Sequence, residues 1–158
     1  MYGMLVKEAL TFRPCLAPDL LFIARLSGEA FSEYTSRAVS HTLDLVSQNM
    51  TWVALRGSDA VGFVTVSQVG EVAMLHAIAV VRRERGKGVG VRLMQVFERF
   101  AHENALHRLE LCTADCNLAA LDLFYRRGFR LQRRRKSFYE RGQDACVLVK
   151  DLDPTPSE

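Results

Sequence analysis

The sequence predicts an α/β fold in which strands and helices alternate along one domain of 158 residues. Short apolar or alternating runs bounded by turn residues are typical of strands. Longer segments with apolar residues three and four positions apart are typical of amphipathic helices. The glycine-rich stretch Arg85–Gly90 lies between a strand pattern and a helix pattern, which predicts a tight strand-to-helix turn near the middle of the chain.

The N-terminal part carries one strand pattern and two helix patterns. Leu10–Arg13 alternates apolar and polar residues and is stopped by Pro14, which predicts a first strand. A first helix is predicted to open at Ala17-Pro18-Asp19, because proline and an acid are preferred in the first turn. Apolar residues at helical spacing predict a second helix over Phe31–Asn49.

The rest of the chain alternates strands and helices. Gly57-Ser58-Asp59 separates two short apolar runs, which predicts an antiparallel hairpin. Strands are predicted at 51–55, 61–66, 72–81, 106–112, 129–131 and 145–152. Helices are predicted at 91–103 and 117–127, the second ended by Gly128 in a left-handed conformation. Between the last two strands we expect a basic, mobile stretch.

The composition is that of an ordinary globular protein, with 49% hydrophobic and 25% charged residues. A net charge of +3 is too small to indicate nucleic-acid binding by itself. No apolar run approaches the ~20 residues of a membrane span, and Met1–Glu8 lacks a secretory-signal pattern. Four irregularly spaced cysteines form neither a disulfide framework nor a zinc pattern, so we expect a reducing cytoplasm and no metal. We predict a single domain over residues 1–158, with a core at about 10–152 and a disordered tail at 153–158.

The stretch Arg85-Gly86-Lys87-Gly88-Val89-Gly90 predicts a site for a phosphate or diphosphate. Glycines let the backbone approach a ligand closely, and the first amides of the following helix have no partner within it. The spacing excludes two common nucleotide loops: the last glycine of a Rossmann fingerprint is missing, and no Ser or Thr follows Gly86-Lys87 as in a Walker A loop. An Arg-x-x-Gly-x-Gly pattern remains, at Arg85, Gly88 and Gly90 (Arg83, Gly86 and Gly88 also fit).

This pattern resembles the acyl-CoA diphosphate loop of the GNAT superfamily of N-acetyltransferases. The segment from Asn117 to Phe129 resembles the Asn-x-x-Ala-x-x-Leu-Tyr-x-x-x-Gly-Phe motif of the same family, in the family's order. The resemblance implies a mixed, mostly antiparallel central sheet flanked by helices, with acetyl-CoA as cosubstrate. It also implies that Ile78, Ala79 and Val80 pair their backbone with the pantetheine amides, and that Asn117 contacts or orients the pantetheine.

The second motif departs from the family at the tyrosine that protonates the departing thiolate. Phe124 stands at this position, beside the cofactor, and Tyr125 follows one residue later. On a helix of ~3.6 residues per turn the two side chains point about 100° apart. Either the helix is locally overwound or bulged so that Tyr125 reaches the sulfur, or a tyrosine acid is missing. The second option is chemically tolerable because a thiol of pKa ~8.5 leaves readily as the thiolate.

Glu110 is the first candidate for the general base. Leu109-Glu110-Leu111 resembles the Leu-Glu-Val of the ribosomal-protein-alanine N-acetyltransferase group, whose glutamate is assigned this role, although Glu110 stands two residues further from Asn117 than in that group. Alternation along a strand sets Glu110 on the face opposite its leucine neighbours. His76 and Glu71, which precede the glycine loop, are the alternatives.

The C-terminal part bears on the acceptor. Phe138–Ala145 resembles the Tyr-Tyr…Gly-x-Asp-Ala ending of the same group, where this loop borders the peptide entrance. A basic run before it is typical of a solvated strand, but also suits an acidic acceptor or the 3′-phosphate of CoA. The run comprises Arg130, Arg133, Arg134, Arg135 and Lys136.

The sequence thus predicts an acetyl-CoA-dependent N-acetyltransferase in which a primary amine attacks the thioester directly. The acceptor is either a protein N-terminal amine or a small molecule such as a polyamine, an amino acid or an antibiotic. A non-catalytic acyl-CoA-binding sensor is the alternative from a different class, because Phe124 replaces the tyrosine. We expect no nucleic-acid or membrane partner, and the resemblance implies that a homodimer is possible.

Overall fold

A computed structural model describes residues 8–153 of the chain. Residues 1–7 and 154–158 lie outside the described part, so the predictions made for the N-terminal segment and for the disordered tail are not tested. Within residues 8–153 the structure has seven strands and four α-helices: β1 Leu10–Pro14, α1 Leu20–Phe31, α2 Ala38–Gln48, β2 Met50–Arg56, β3 Asp59–Val69, β4 Val72–Val80, α3 Val89–Glu103, β5 Arg108–Ala114, α4 Leu118–Arg126, β6 Arg130–Arg135 and β7 Ala145–Asp151.

The strands form one sheet in the order β1-β2-β3-β4-β5-β7-β6. The pair β4–β5 is parallel and the other neighbouring pairs are antiparallel. A parallel pair needs a long crossover connection, and here α3 supplies it. The predicted mixed, mostly antiparallel sheet flanked by helices is therefore confirmed.

The two faces of the sheet bury separate hydrophobic clusters. On one face, α3 and α4 pack against the sheet, with Leu93 and Phe97 fully buried. On the other face, α1 packs against the sheet with α2 beside it, and Ile23 and Phe63 are fully buried. Each such side chain contributes about 1.5–3 kcal/mol by leaving water. We call these the α3/α4 face and the α1/α2 face.

Three segments differ from the sequence-based expectation. Residues 32–37 form a loop, so α2 begins at Ala38 rather than at Phe31. The helix after the glycine loop begins at Val89, two residues earlier than predicted. The basic segment predicted to be mobile is largely strand β6, because its backbone pairs with β7. In each case tertiary hydrogen bonds or packing outweigh local sequence preference.

Candidate active site

Strands β4 and β5 separate at one end of the sheet. They are paired from Val72 to Leu75 on β4, whereas β4 continues to Val80 and β5 to Ala114. His76 is an extra residue at this point, because its neighbours on β4 pair with consecutive residues of β3. Such a β-bulge bends a strand and re-aims its side chains.

The separation leaves the edge of β4 that faces β5 open from His76 to Val80, as far as the described strand pairings show. Ile78, Ala79 and Val80, which the family resemblance assigns to the cofactor, lie in this part of β4. Free backbone amide and carbonyl groups on a strand edge can pair with an extended ligand that carries amides of its own.

The glycine loop continues directly from this open edge. Gly86 and Gly88 have φ angles of +75° and +87°, a conformation that L side chains rarely adopt. A Cβ atom added at either glycine would meet no heavy atom within 4 Å, so the loop presents bare backbone to open space. Gly88 precedes α3, whose first amides have no partner within the helix and no capping side chain. This arrangement can hold an anion.

Gly90, the third glycine of the motif, has another role. It lies inside α3 with ordinary backbone angles, and a Cβ atom there would stand 3.4 Å from Cδ2 of Leu123 on α4. Gly90 therefore faces α4 rather than the open space beside the loop. We expected all three glycines to let the backbone turn sharply. Only Gly86 and Gly88 adopt a positive φ.

Two contacts brace the loop. The Arg85 Nε atom donates a hydrogen bond to the Val80 carbonyl oxygen at 3.2 Å, which ties the loop to the open edge of β4. The Glu84 carboxylate is buried and accepts a hydrogen bond from Arg56 Nη2 at 3.1 Å. The hydrogen bond and charge of Arg56 hold the pKa of Glu84 below its usual value, so this pair stays ionised. Arg85 thus contacts protein backbone, while Lys87 is exposed.

Glu110 lies on the α1/α2 face, as alternation predicts. Leu109 and Leu111 belong to the buried cluster of the opposite face. Glu110 pairs with Met74 of β4, two residues before the bulge at His76. Its side chain is half-buried, close to where the two strands separate.

His76 is on the same face as Glu110. Its Nε2 atom lies 2.7 Å from the Ser67 hydroxyl, and Ser67, like Glu110, pairs with Met74. Burial, with a smaller contribution from His41, lowers the pKa of His76, so the ring is neutral at neutral pH. Glu71 is in the turn at the other end of β4, roughly 15 Å from the separation at about 3.3 Å per residue. The structure thus brings Glu110 and His76 together but not Glu71.

The conformation of α4 shows whether Tyr125 can occupy the position of the motif's tyrosine, where Phe124 stands in the sequence. The helix is a regular α-helix throughout, without a bulge that would move Tyr125 to the preceding position. Phe124 is 2% exposed and packs edge-on against Phe129, whereas Tyr125 is 47% exposed. Tyr125 is therefore not placed as the motif's tyrosine. Asn117 caps this helix, its Oδ1 accepting from the Ala120 amide at 3.2 Å.

The α1/α2 face also contains groups that sequence reasoning did not single out. Cys112 is two residues beyond Glu110 on the same side of β5, and the Tyr139 hydroxyl lies beside its thiol. Burial raises the pKa of both groups, so both are protonated at neutral pH. The Tyr139 ring packs tilted against Tyr34 and edge-on against Phe138, with ring centroids 5.4 Å and 5.1 Å apart. The alternation of side chains along β5 could have identified Cys112, because it stands two residues after Glu110. No local sequence pattern could have identified Tyr34 as a neighbour of Tyr139.

Two loops are tied together beside this face. Glu140, in the loop 136–144, accepts hydrogen bonds from the hydroxyls of Thr35 (2.8 Å) and Ser36 (2.6 Å) in the loop 32–37. Arg141 Nε donates to the Ser32 carbonyl oxygen at 2.9 Å. These contacts between residues more than 100 positions apart explain why 32–37 is not helical. We call the two loops together the loop bridge.

The separated parallel strands, the bare glycine turn and the ionisable groups near the separation are the features expected of an enzyme that transfers a group from an extended, diphosphate-bearing donor. Residues 19–129 match the acetyltransferase (GNAT) family, and the chain belongs to this family. It is accordingly an acetyl-CoA-dependent N-acetyltransferase. The family match thus favours an enzyme over a non-catalytic acyl-CoA sensor.

Known proteins with related sequences or structures agree with this assignment. An uncharacterized N-acetyltransferase of Methanocaldococcus jannaschii is 27% identical over 135 residues, spanning 84% of this chain and 85% of that protein. The crystal structure of Ard1 from Thermoplasma volcanium superimposes with a TM-score of 0.81 and 22% identity, covering 92% of this chain and 99% of that chain. The crystal structure of a ribosomal-protein-alanine N-acetyltransferase from Brucella melitensis superimposes with a TM-score of 0.78 and 18% identity, covering 90% of this chain and 99% of that chain. These structural likenesses confirm the fold.

Within residues 8–153, no helix is long and apolar enough to cross a membrane.

The chain's own residues fit acetyl-CoA. The first turn of α3 and the open backbone at Gly86 and Gly88 suit a diphosphate, since a Cβ atom would occupy the space at both glycines. The free edge of β4 suits the two amides of pantetheine. Glu110 and His76 lie near the separation of β4 and β5, on the α1/α2 face.

Proposed function

We propose that the acceptor is the N-terminal amine of a protein or peptide. The loop bridge supports this proposal, because it joins two distant loops beside the α1/α2 face, where the rings of Tyr34, Tyr139 and Phe138 pack against one another. Phe138 is exposed and Tyr139 half-buried, so the two rings offer an aromatic surface beyond the amine position, which suits an extended chain better than a compact amine. The structural neighbour from Brucella melitensis, a ribosomal-protein-alanine N-acetyltransferase, supports the same acceptor class.

We assign the roles as follows. The N-terminal amine enters from the α1/α2 face and attacks the thioester carbonyl at the separation of the strands. Glu110 takes the amine proton, directly or through one water, with His76 as the neighbouring neutral base. A backbone amide of the open β4 edge donates to the developing oxyanion. The carbon–sulfur bond then breaks and CoA leaves as the thiolate, which takes up a proton from solvent.

The remaining assignments concern the donor. The loop Arg85–Gly90 holds the diphosphate and the edge Ile78–Val80 holds the pantetheine. Phe124 lines the cofactor site with its ring, and Asn117 fixes the first turn of α4 so that this ring stays in place. Tyr125 takes no part in this assignment, because it is exposed on the outer side of α4.

Tyr125→Phe tests that last assignment. We expect turnover within about twofold of the wild type, because an exposed hydroxyl away from the sulfur protonates nothing. The measurement is steady-state release of CoA at saturating acetyl-CoA. A loss of tenfold or more would restore Tyr125 as the acid. Phe124→Tyr, which places a hydroxyl at the motif's position, is the matched companion variant.

The acceptor class is tested by a panel of amines at fixed acetyl-CoA. The panel contains a peptide with a free N-terminus, the same peptide with a blocked N-terminus and an internal lysine, and free amines such as a polyamine and an amino acid. We expect kcat/KM for the free N-terminus to exceed the others by at least about tenfold, because only an extended chain can contact the aromatic residues as well as the amine position. Faster turnover of the small amines would contradict the proposal.

A further inference from the structure

The edge strand β6 turns part of its basic run towards the acceptor side. Arg133 pairs with Val147 of β7, which pairs with Cys112 of β5. Paired residues share a face, and the intervening Cys146 and Leu148 belong to the cluster under α3 and α4. Arg133 therefore shares the α1/α2 face with Cys112. Arg135, two residues further, shares it too, while Arg134 is on the opposite face.

Arg133 and Arg135 carry charges that the fold leaves uncompensated. Arg130 is paired with Asp151 at 2.9 Å and Arg134 approaches Asp115 at 3.8 Å. In the part of the chain that the structure describes, no carboxylate lies within 4.0 Å of Arg133 or Arg135.

The carboxylates of the neighbouring loop are already engaged. Glu140 is bound to Thr35 and Ser36, and Asp144 accepts a hydrogen bond from the Ser137 amide at 2.8 Å. All six residues of β6 are exposed, so Arg133 and Arg135 are accessible to a ligand.

Arg135 contacts the aromatic residues of the loop bridge. The Arg135 guanidinium lies over the Phe138 ring at 5.3 Å, and Phe138 contacts Tyr139, which lies beside Cys112. The charges of Arg135 and Arg133 reach the Cys112 thiol, where they oppose the effect of burial on its pKa. From Cys112 to Arg133 there are two strand spacings, about 10 Å, or about three residues of an extended peptide.

We propose that Arg133 and Arg135 select acceptor peptides with carboxylate side chains near the second to fourth residue. The proposal rests on the proposed function, an N-terminal amine acceptor, and adds the chemistry of the chain that follows the amine. The alternative use of this basic run, binding the 3′-phosphate of CoA, does not suit these two residues. They are on the α1/α2 face, whereas the glycine loop leads into α3 on the opposite face.

The test compares two peptides that differ only in charge: one with glutamate at positions two to four, the other with glutamine. For the wild type we expect kcat/KM to favour the glutamate peptide roughly tenfold, mostly through KM, since exposed charge-assisted hydrogen bonds have modest strength. Arg133→Gln and Arg135→Gln should each reduce the ratio, and the double variant should bring it near one. Arg134→Gln is the matched control and should keep the wild-type ratio. The KM for acetyl-CoA should not change in any variant.

The outcomes separate the two proposals. Equal turnover of both peptides by the wild type, or an acidic preference that survives the double variant, overturns the role of the arginines and leaves the peptide acceptor standing. If the preference for the glutamate peptide falls equally in Arg134→Gln, the effect is one of net charge in general. That result also overturns the role of Arg133 and Arg135. If neither peptide is acetylated while small amines are, the proposed function fails and the arginine role fails with it.

Discussion

Glu110→Gln is expected to lower turnover at neutral pH about 10²-fold, the lower end of what a positioned general base contributes. The amide cannot accept the amine proton, yet it keeps the size and polarity of a half-buried side chain in β5, so the fold is retained. Acetyl-CoA affinity should stay unchanged, because we assign the donor to the glycine loop before α3, and Glu110 lies on the α1/α2 face. Steady-state release of CoA and equilibrium binding of acetyl-CoA measure the two quantities.

The pH dependence of the Glu110→Gln variant distinguishes a base from a merely structural carboxylate. Without the base, turnover should rise with pH as the acceptor amine, of pKa about 7.7–8.0, loses its own proton. His76 provides the comparison: its pKa lies below the usual value, so it is already neutral at pH 7 and His76→Gln should alter turnover less than Glu110→Gln. Unchanged turnover in Glu110→Gln, with a loss in His76→Gln, would transfer the role to the histidine.

Gly88→Val is expected to weaken acetyl-CoA binding by at least about tenfold. The glycine has a φ of +87°, so a β-branched residue strains the turn by roughly 1–2 kcal/mol. The new side chain also projects into the open space where the diphosphate would approach the first amides of α3. Calorimetric titration with acetyl-CoA gives the affinity and thermal unfolding gives the stability.

Gly70→Val separates these two effects. Gly70 also has a positive φ, +59°, and open space around it, but it lies in the β3–β4 turn at the other end of β4. Both variants should lose similar stability, whereas only Gly88→Val should lose affinity. A folded Gly88→Val protein that binds acetyl-CoA like the wild type would remove the glycine loop from the cofactor site.

The sequence predicted the cofactor side of this enzyme better than the acceptor side. The glycine turn at Gly86 and Gly88 and the helix that follows Asn117 depend on contacts between residues close in sequence, and local patterns report such contacts. Ile78–Val80 were assigned through the family resemblance, because the open edge depends on where β5 separates from β4. Glu110 was placed on the correct face for the same reason, because alternation along a strand is a local property.

The acceptor side depends on contacts that no local pattern encodes. Thr35 and Ser36 meet Glu140 across 105 and 104 positions, and these bonds draw the segment predicted as the start of α2 into a loop. Tyr34 comes to Tyr139 in the same way. The bulge at His76 depends on the register between β3 and β4, so the sequence could not show that His76 and Glu110 share a face at the point of separation.

The exposed edge of β6 has a consequence for how two copies of this chain can meet. An outer strand has unpaired backbone donors and acceptors that invite another strand to extend the sheet. Here four of its six residues are arginine, so continuation of the sheet across a two-fold axis would bring eight guanidinium groups into one small region. Mutual repulsion opposes that arrangement. We therefore expect a homodimer of this acetyltransferase to form through another surface.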